Sequence, residues 1–168
     1  MKTISHLLLL LAFLSQACLA QDKPTFQGSI AGREIKVYLS EQDFSPTNHR
    51  IEYKEGAYGA KTLFIDGHQP IGSDNLIPKK SWKRFSVRWD EVEVPVPPSL
   101  YERFYHPNID VNALKHRNLV FFVDPLGEWI QVIMNGSDGG GAYLVGWELR
   151  RDGKHKQIDP TALFQPPS

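Results

Sequence analysis

The residues of this chain best placed to do chemistry fall in one stretch, Asn135-Gly136-Ser137-Asp138-Gly139-Gly140-Gly141. Three consecutive glycines leave backbone amides open, and Asn135, Ser137 and Asp138 add short polar groups, a composition able to hold a small ligand or an ion. A turn reading competes with it. Asp138 can close an Asx-turn while the glycines supply positive φ in a long hairpin loop, and this is the simpler of the two accounts. Calcium is poorly served, because oxygen cages of the loop type need carboxylates at alternating positions and Asp138 is the only acid between Glu128 and Glu148.

A second Gly-Ser-Asp, Gly72-Ser73-Asp74, adds Asp74 to the binding candidates and makes Ser73 and Ser137 the nearest things to a nucleophile. The Gly-x-Ser-x-Gly elbow is absent, and both serines read first as turn residues. Beyond the leader the histidines are His49, His68, His106, His116 and His155, no two of them at the three-to-five-residue spacing that brings two ligands to one local metal site. Zinc is unsupported. His116 and His155, each flanked by cations, read as solvated surface, His106 as the cationic end of a short helix, and His68 as turn-adjacent. No cofactor motif accompanies them. The stretch Pro78-Lys79-Lys80-Ser81-Trp82-Lys83-Arg84-Phe85 interleaves four cations with two aromatics. Cations flanking a hydrophobic strand are ordinary guards against aggregation, which leaves Trp82 as the one tryptophan not placed in strand alternation and hence a candidate contact.

The elements that position these groups are strands. Tyr143, Val145, Trp147 and Leu149 share one face by period two, and Ile130, Val132 and Met134 face away from Trp129, Gln131 and Ile133, so this second run is apolar on both sides and reads as central. Leu119 to Val123 precedes it across Asp124-Pro125-Leu126-Gly127, and Asp152-Gly153 follows as a two-residue turn. The result is a four-stranded meander. Upstream, Phe26 to Ile30 and Glu34 to Leu39 form a hairpin about Ala31-Gly32, with Ile35, Val37 and Leu39 inward, and Ser40 to Arg50 reads as loop. Ile51 to Tyr53 pairs with Leu63 to Ile65. Asp66-Gly67 reverses the chain into an edge strand at Pro70, and Gly72 to Lys80 is a second loop. Phe85, Val87 and Trp89 pair across Asp90-Glu91 with Val92, Val94 and Val96, an edge guarded by Pro95 and Pro97. Ser99-Leu100-Tyr101-Glu102 matches a capping box and predicts one short helix; Asp110 to Asn118 adds a possible turn or two more. These spacings predict an all-β, antiparallel two-sheet sandwich or partly closed barrel of eight to eleven strands with one short helix.

At the start, Lys2, the apolar run Leu7 to Leu14 and Ala17-Cys18-Leu19-Ala20 make the three regions of a secretory signal peptide over residues 1–20. An eight-residue apolar run spans about 12 Å as a helix, well short of a ~30 Å hydrocarbon core, so it is no transmembrane segment. Cleavage after Ala20 is favoured over acylation of Cys18 as a lipoprotein anchor, since Ser15 stands where such signals carry Leu. The leader holds the sole cysteine and, of the 19 cations and 19 anions, only Lys2. A near-neutral charge removes the electrostatic case for nucleic acid. Residues 21–160 then read as a single domain that depends on its core, and 161–168 as a frayed tail.

Gly136-Ser137-Asp138-Gly139-Gly140-Gly141-Ala142-Tyr143, with Val145-Gly146-Trp147 and Arg151-Asp152-Gly153-Lys154, resembles the end of certain small secreted bacterial proteins of no established activity. Asp66-Gly67, Gly72-Ser73-Asp74 and Val94-Pro95-Val96-Pro97 extend the resemblance over roughly Asp66 to Lys154. It implies a fold and no activity. The resulting expectation is a periplasmic or secreted non-catalytic binding module, of the inhibitor or immunity type, whose partner is another envelope or secreted protein. The alternative is a small hydrolase using dispersed Ser, His and Asp residues. What separates them is whether the two Gly-Ser-Asp loops and a histidine line one concavity with a serine, a histidine and an acid in hydrogen-bond reach of one another, as the hydrolase requires.

Overall fold

The computed structural model describes residues 23–109, 118–137 and 140–161. The leader, Asp138, most of the tail and all but the last residue of the segment Asp110 to Asn118 lie outside them. Among the described residues ten strands form three antiparallel sheets. β1 (Phe26–Ile30), β2 (Arg33–Asp43), β5 (Lys80–Trp89) and β6 (Val92–Pro95) make one sheet in the order β1-β2-β5-β6. β7 (Leu119–Val123), β8 (Trp129–Gly136), β9 (Tyr143–Arg150) and β10 (Lys156–Ile158) make the second, a meander in the order β10-β9-β8-β7. β3 (Ile51–Glu55) and β4 (Lys61–Ile65) form a separate two-stranded arm.

The sandwich follows from the alternation. Pairing Ile35 with Trp89, Val37 with Val87 and Leu39 with Phe85 stacks the apolar faces of β2 and β5 side by side, the cross-strand contact that stabilises sheets. The opposing sheet presents Ile130, Val132, Met134, Val145, Trp147 and Leu149 to the same core. Phe26 and Phe121 stack at 4.8 Å and join the two edges. β8 is covered on both sides: Ile133, opposite Gly146, fits where that glycine has no Cβ, since a Cβ there would come within 2.8 Å of Ile133 and Ile158. A smaller cluster of Phe44, Leu63, Ile65 and Tyr105 anchors the base of the arm.

Five expectations need correction. The segment Ser99 to Glu102 is not a helix: only a 3-10 turn, Pro98–Leu100, forms, and no side chain caps it. Its carbonyls have other uses. Leu100 O accepts the Trp147 indole N–H at 2.9 Å, and Arg103 O accepts the Ile71 amide at 2.8 Å, so the chain is drawn out before a second helical turn can close. β2 runs on to Asp43 through a bulge at Ser40/Glu41, because Lys80 and Ser81 pair with this polar run and Lys80 Nζ meets Asp43 Oδ1 at 2.8 Å. No strand forms at Pro70; Ile71 makes only a single parallel bridge to Phe104. The turn at Asp152-Gly153 is wider than two residues, and His155 is not solvated surface.

His155 folds back into that turn. Its Nδ1 accepts the Arg150 amide at 3.0 Å and its Nε2 is buried without a partner. The neutral ring is the one that fits, and burial lowers its pKa despite the opposing pull of Asp152. The unfolded chain therefore binds a proton more readily than the folded one, and stability falls as pH drops below 6.5. Thermal melts between pH 8 and pH 5 should show Tm declining below that value for the wild type, and a flatter profile for His155→Gln, whose amide oxygen can take the Arg150 N–H without titrating.

Candidate functional site

The two Gly-Ser-Asp loops meet. Tyr143, the first residue of β9, lays its ring between Gly72 and Gly136, both so close that neither could carry a Cβ: at Gly72 the added atom would stand 2.5 Å from Tyr143 and 2.6 Å from the Tyr105 carbonyl. Gly72 also has φ 86, open to glycine at no cost. The Tyr143 hydroxyl donates to the Tyr105 carbonyl at 3.0 Å. Burial raises the pKa of Tyr143 and pushes that of Tyr105 up to about 12, so both remain protonated donors.

The loop that follows Gly72 is held by its side chains. Asn75 takes the Leu63 amide on Oδ1 and donates Nδ2 to the Lys61 carbonyl, each at 2.6 Å, and the Leu76 amide closes onto Ser73 O at 2.8 Å. From the other side, His106 O accepts the Ser137 amide at 2.9 Å, and its ring Nε2 accepts the Lys79 amide at 3.3 Å. That bond places the His106 proton on Nδ1 in the neutral ring. Asp74, Asn75, His106, Asn108 and Ser137 all have φ between 51 and 61. Four of the five are Asp, Asn or His, the side chains that best tolerate this region in turns.

Together Ser73, Asp74, Leu76, Ile77, His106 and Ser137 line a concavity of about 290 Å³. A neighbouring hollow brings in Gly141 and Arg103 beside Asp74. Leu76 and Ile77 stand at its rim 66% and 43% exposed. Of the residues picked out from sequence, Ser137 and Asp74 thus converge. Asn135 lies on β8 with an exposed side chain, and Trp82 lies elsewhere: only 8% exposed, it packs against Phe85 and Trp147 in the main core.

Known proteins add nothing to this geometry. Comparison of the chain with protein families, curated proteins and solved structures returns no match.

Acyl-transfer chemistry would need a hydroxyl bonded to an imidazole acceptor. The buried Ser73 Oγ has no hydrogen-bond partner, and the His106 Nε2 is taken by a backbone amide. Among the described residues no group of three or more His, Cys, Asp or Glu is arranged to hold a metal ion.

One constellation escaped the sequence reading. His49 Nδ1 donates to Asp66 Oδ2 at 2.6 Å with its ring stacked 4.6 Å from Phe44, while Asp66 Oδ1 accepts the Arg50 amide at 2.8 Å. These bonds, that from His49 foremost, hold the Asp66 carboxyl below its ordinary pKa. The pair borders a hollow of about 270 Å³ with His68, Glu102, Arg103 and Tyr105. The two strands were identified from sequence but their register was not, and it is the register that brings the pair together: pairing Ile51 with Ile65 puts Asp66 across from Arg50, next to His49.

Asn75 is the residue on which the loop's rigidity rests. Asn75→Ala leaves the amide of fully buried Leu63 without an acceptor, and chemical denaturation should show a loss of about 1–3 kcal/mol. Asn75→Asp keeps that acceptor but sets a second acceptor oxygen against the Lys61 carbonyl where Nδ2 donates at 2.6 Å, so at neutral pH it should be destabilised as well.

Proposed function

We propose that this is an exported, periplasmic or secreted, non-catalytic β-domain that binds another envelope or secreted protein, in the manner of inhibitor and immunity-type proteins. The observation that carries this reading is a rigid loop that holds two aliphatic side chains out to solvent. Leu76 and Ile77 are exposed beside a polar concavity, on a segment fixed by Asn75, by the Tyr143 wedge and by the His106 contacts. Exposed apolar groups on a mobile loop would collapse inward. Held in place, they supply contact area with the ordering cost already met in folding, which is how preorganised interfaces gain affinity.

Export is supported by the leader pattern over residues 1–20, with cleavage after Ala20 favoured over a lipid anchor at Cys18. Among the described residues no helix is long and apolar enough to cross a membrane. The polar groups lining the concavity, Asp74 and Ser137, stand beside the exposed Leu76 and Ile77, so hydrogen-bonding and apolar contacts are offered side by side.

The test is affinity capture from an envelope and culture-medium extract of the producing cell, with the recovered protein identified and then purified. Wild type should enrich a specific partner, Leu76→Asp/Ile77→Asp should lower its recovery at least tenfold with an unchanged circular dichroism spectrum, and Leu126→Asp, at an equally exposed site on the β7–β8 turn, should not. Absence of an enriched partner, or full retention by the double variant, rejects the reading.

A further inference from the structure

The tip of the β3–β4 arm carries a residue that the fold does not use. There the Gly56 amide donates to Ala60 O at 2.7 Å and the Ala60 amide to Ala57 O at 3.4 Å, and the two residues inside the turn, Tyr58 (φ 61, ψ 28) and Gly59 (φ 72), are both left-handed. This is the mirror-image turn that closes tight hairpins, whose first central position normally takes Asn, Asp or Gly. The chain makes the same reversal at Ala31-Gly32 and Asp66-Gly67, with a small or short polar residue in that place. A tyrosine there is an outlier for a bulky side chain.

Burial does not compensate. Tyr58 is fully exposed, and every residue from 53 to 61 is on the exposed surface. The arm's base, by contrast, is fixed: Leu63 and Ile65 are buried against Phe44 and Tyr105, and Asn75 clamps the Lys61 carbonyl. A strained, solvated aromatic therefore projects from a rigid stem. Tyrosine is the side chain that interfaces favour as an anchor, since it brings large rigid area and a polar tip at low entropic cost.

We propose that Tyr58 is the anchor by which the arm enters a pocket on the partner protein, one with apolar walls and a hydrogen-bonding group for the phenol. This rests on the binding reading above and names the element that makes first claim on the partner. The charges on the arm argue for a protein: Lys54 and Lys61 alternate with Glu52 and Glu55, which is not the basic stripe that anionic lipid or nucleic acid requires.

Tyr58→Asn puts a residue suited to the turn in place of the tyrosine. Its Tm should rise by about 2–4 °C, while titration calorimetry with the purified partner recovered by wild-type capture should show at least tenfold weaker binding; Tyr58→Phe should weaken it by a few fold. A lower Tm for Tyr58→Asn would mean that the fold uses the ring, and would overturn the inference. Unchanged affinity would overturn it too, leaving the binding reading intact if Leu76→Asp/Ile77→Asp still weakens the complex. Wild-type binding to phosphatidylethanolamine–phosphatidylglycerol vesicles that is lost in Tyr58→Asn would overturn it in favour of a lipid surface. If wild type captures no partner, both readings go.

Discussion

Trp147 ties the molecule together through one hydrogen bond and three ring contacts. Fully buried on β9, it meets Phe85 at 5.1 Å and Trp82 and Phe104 each at 5.9 Å, all close to edge-on, and its indole N–H reaches Leu100 O at 2.9 Å. The contacts with Phe85 and Trp82 of β5 hold one sheet against the other. The hydrogen bond does something different: it fixes an irregular segment, 98–106, over the end of the sandwich. Everything that gives that end its shape hangs from this segment. Ile71 bridges to Phe104 through main-chain bonds on both sides, Tyr143 donates to Tyr105 O, and His106 receives Ser137. An indole buried without an acceptor would leave a polar N–H in the core, so the bond is costly to break and the placement correspondingly firm.

The strands were legible because burial on one face enforces period two, and here the rule operated with few exceptions. Ile35, Val37 and Leu39, or Val145, Trp147 and Leu149, can be read as inward faces without knowing what lies opposite. The failures came where pairing or tertiary bonds outvoted local preference. Ser40 to Asp43 has no apolar alternation, yet it continues as strand because Lys80 and Ser81 supply partners. Ser99 and Glu102 have the right spacing for a capping box, yet Leu100 and Arg103 give their carbonyls to Trp147 and Ile71. His155 sits between two lysines, yet its ring accepts the Arg150 amide across the β9–β10 turn.

The site was legible only in part, and for a related reason. Composition alone marked Ser137 and Asp74, because Gly-Ser-Asp is turn chemistry wherever it occurs. That the two copies should face one another depends on Tyr143 passing between Gly72 and Gly136, a contact across more than sixty residues of chain. Turn chemistry accounts for glycine in both places without revealing that each also makes room for the ring. The His49–Asp66 pair was closer to hand, since both flanking strands were identified and only their register was missing.

The arm and the 72–79 loop belong to one mechanical unit, and Asn75 is the reason. Its amide bonds two backbone groups of β4, Lys61 O and Leu63 N, while its own left-handed backbone turns the loop outward toward Leu76. Pulling the loop away would therefore strip β4 of these two bonds, one of them at fully buried Leu63. The arm's base is in turn packed against Tyr105, which accepts Tyr143 through its carbonyl. A load applied at the arm tip is thus shared with the sandwich core by way of these hydrogen bonds and the packing at the arm's base. Surface loops ordinarily gain tolerance by being loosely attached; this pair gives up that tolerance, which makes sense only if the relative position of what they display matters.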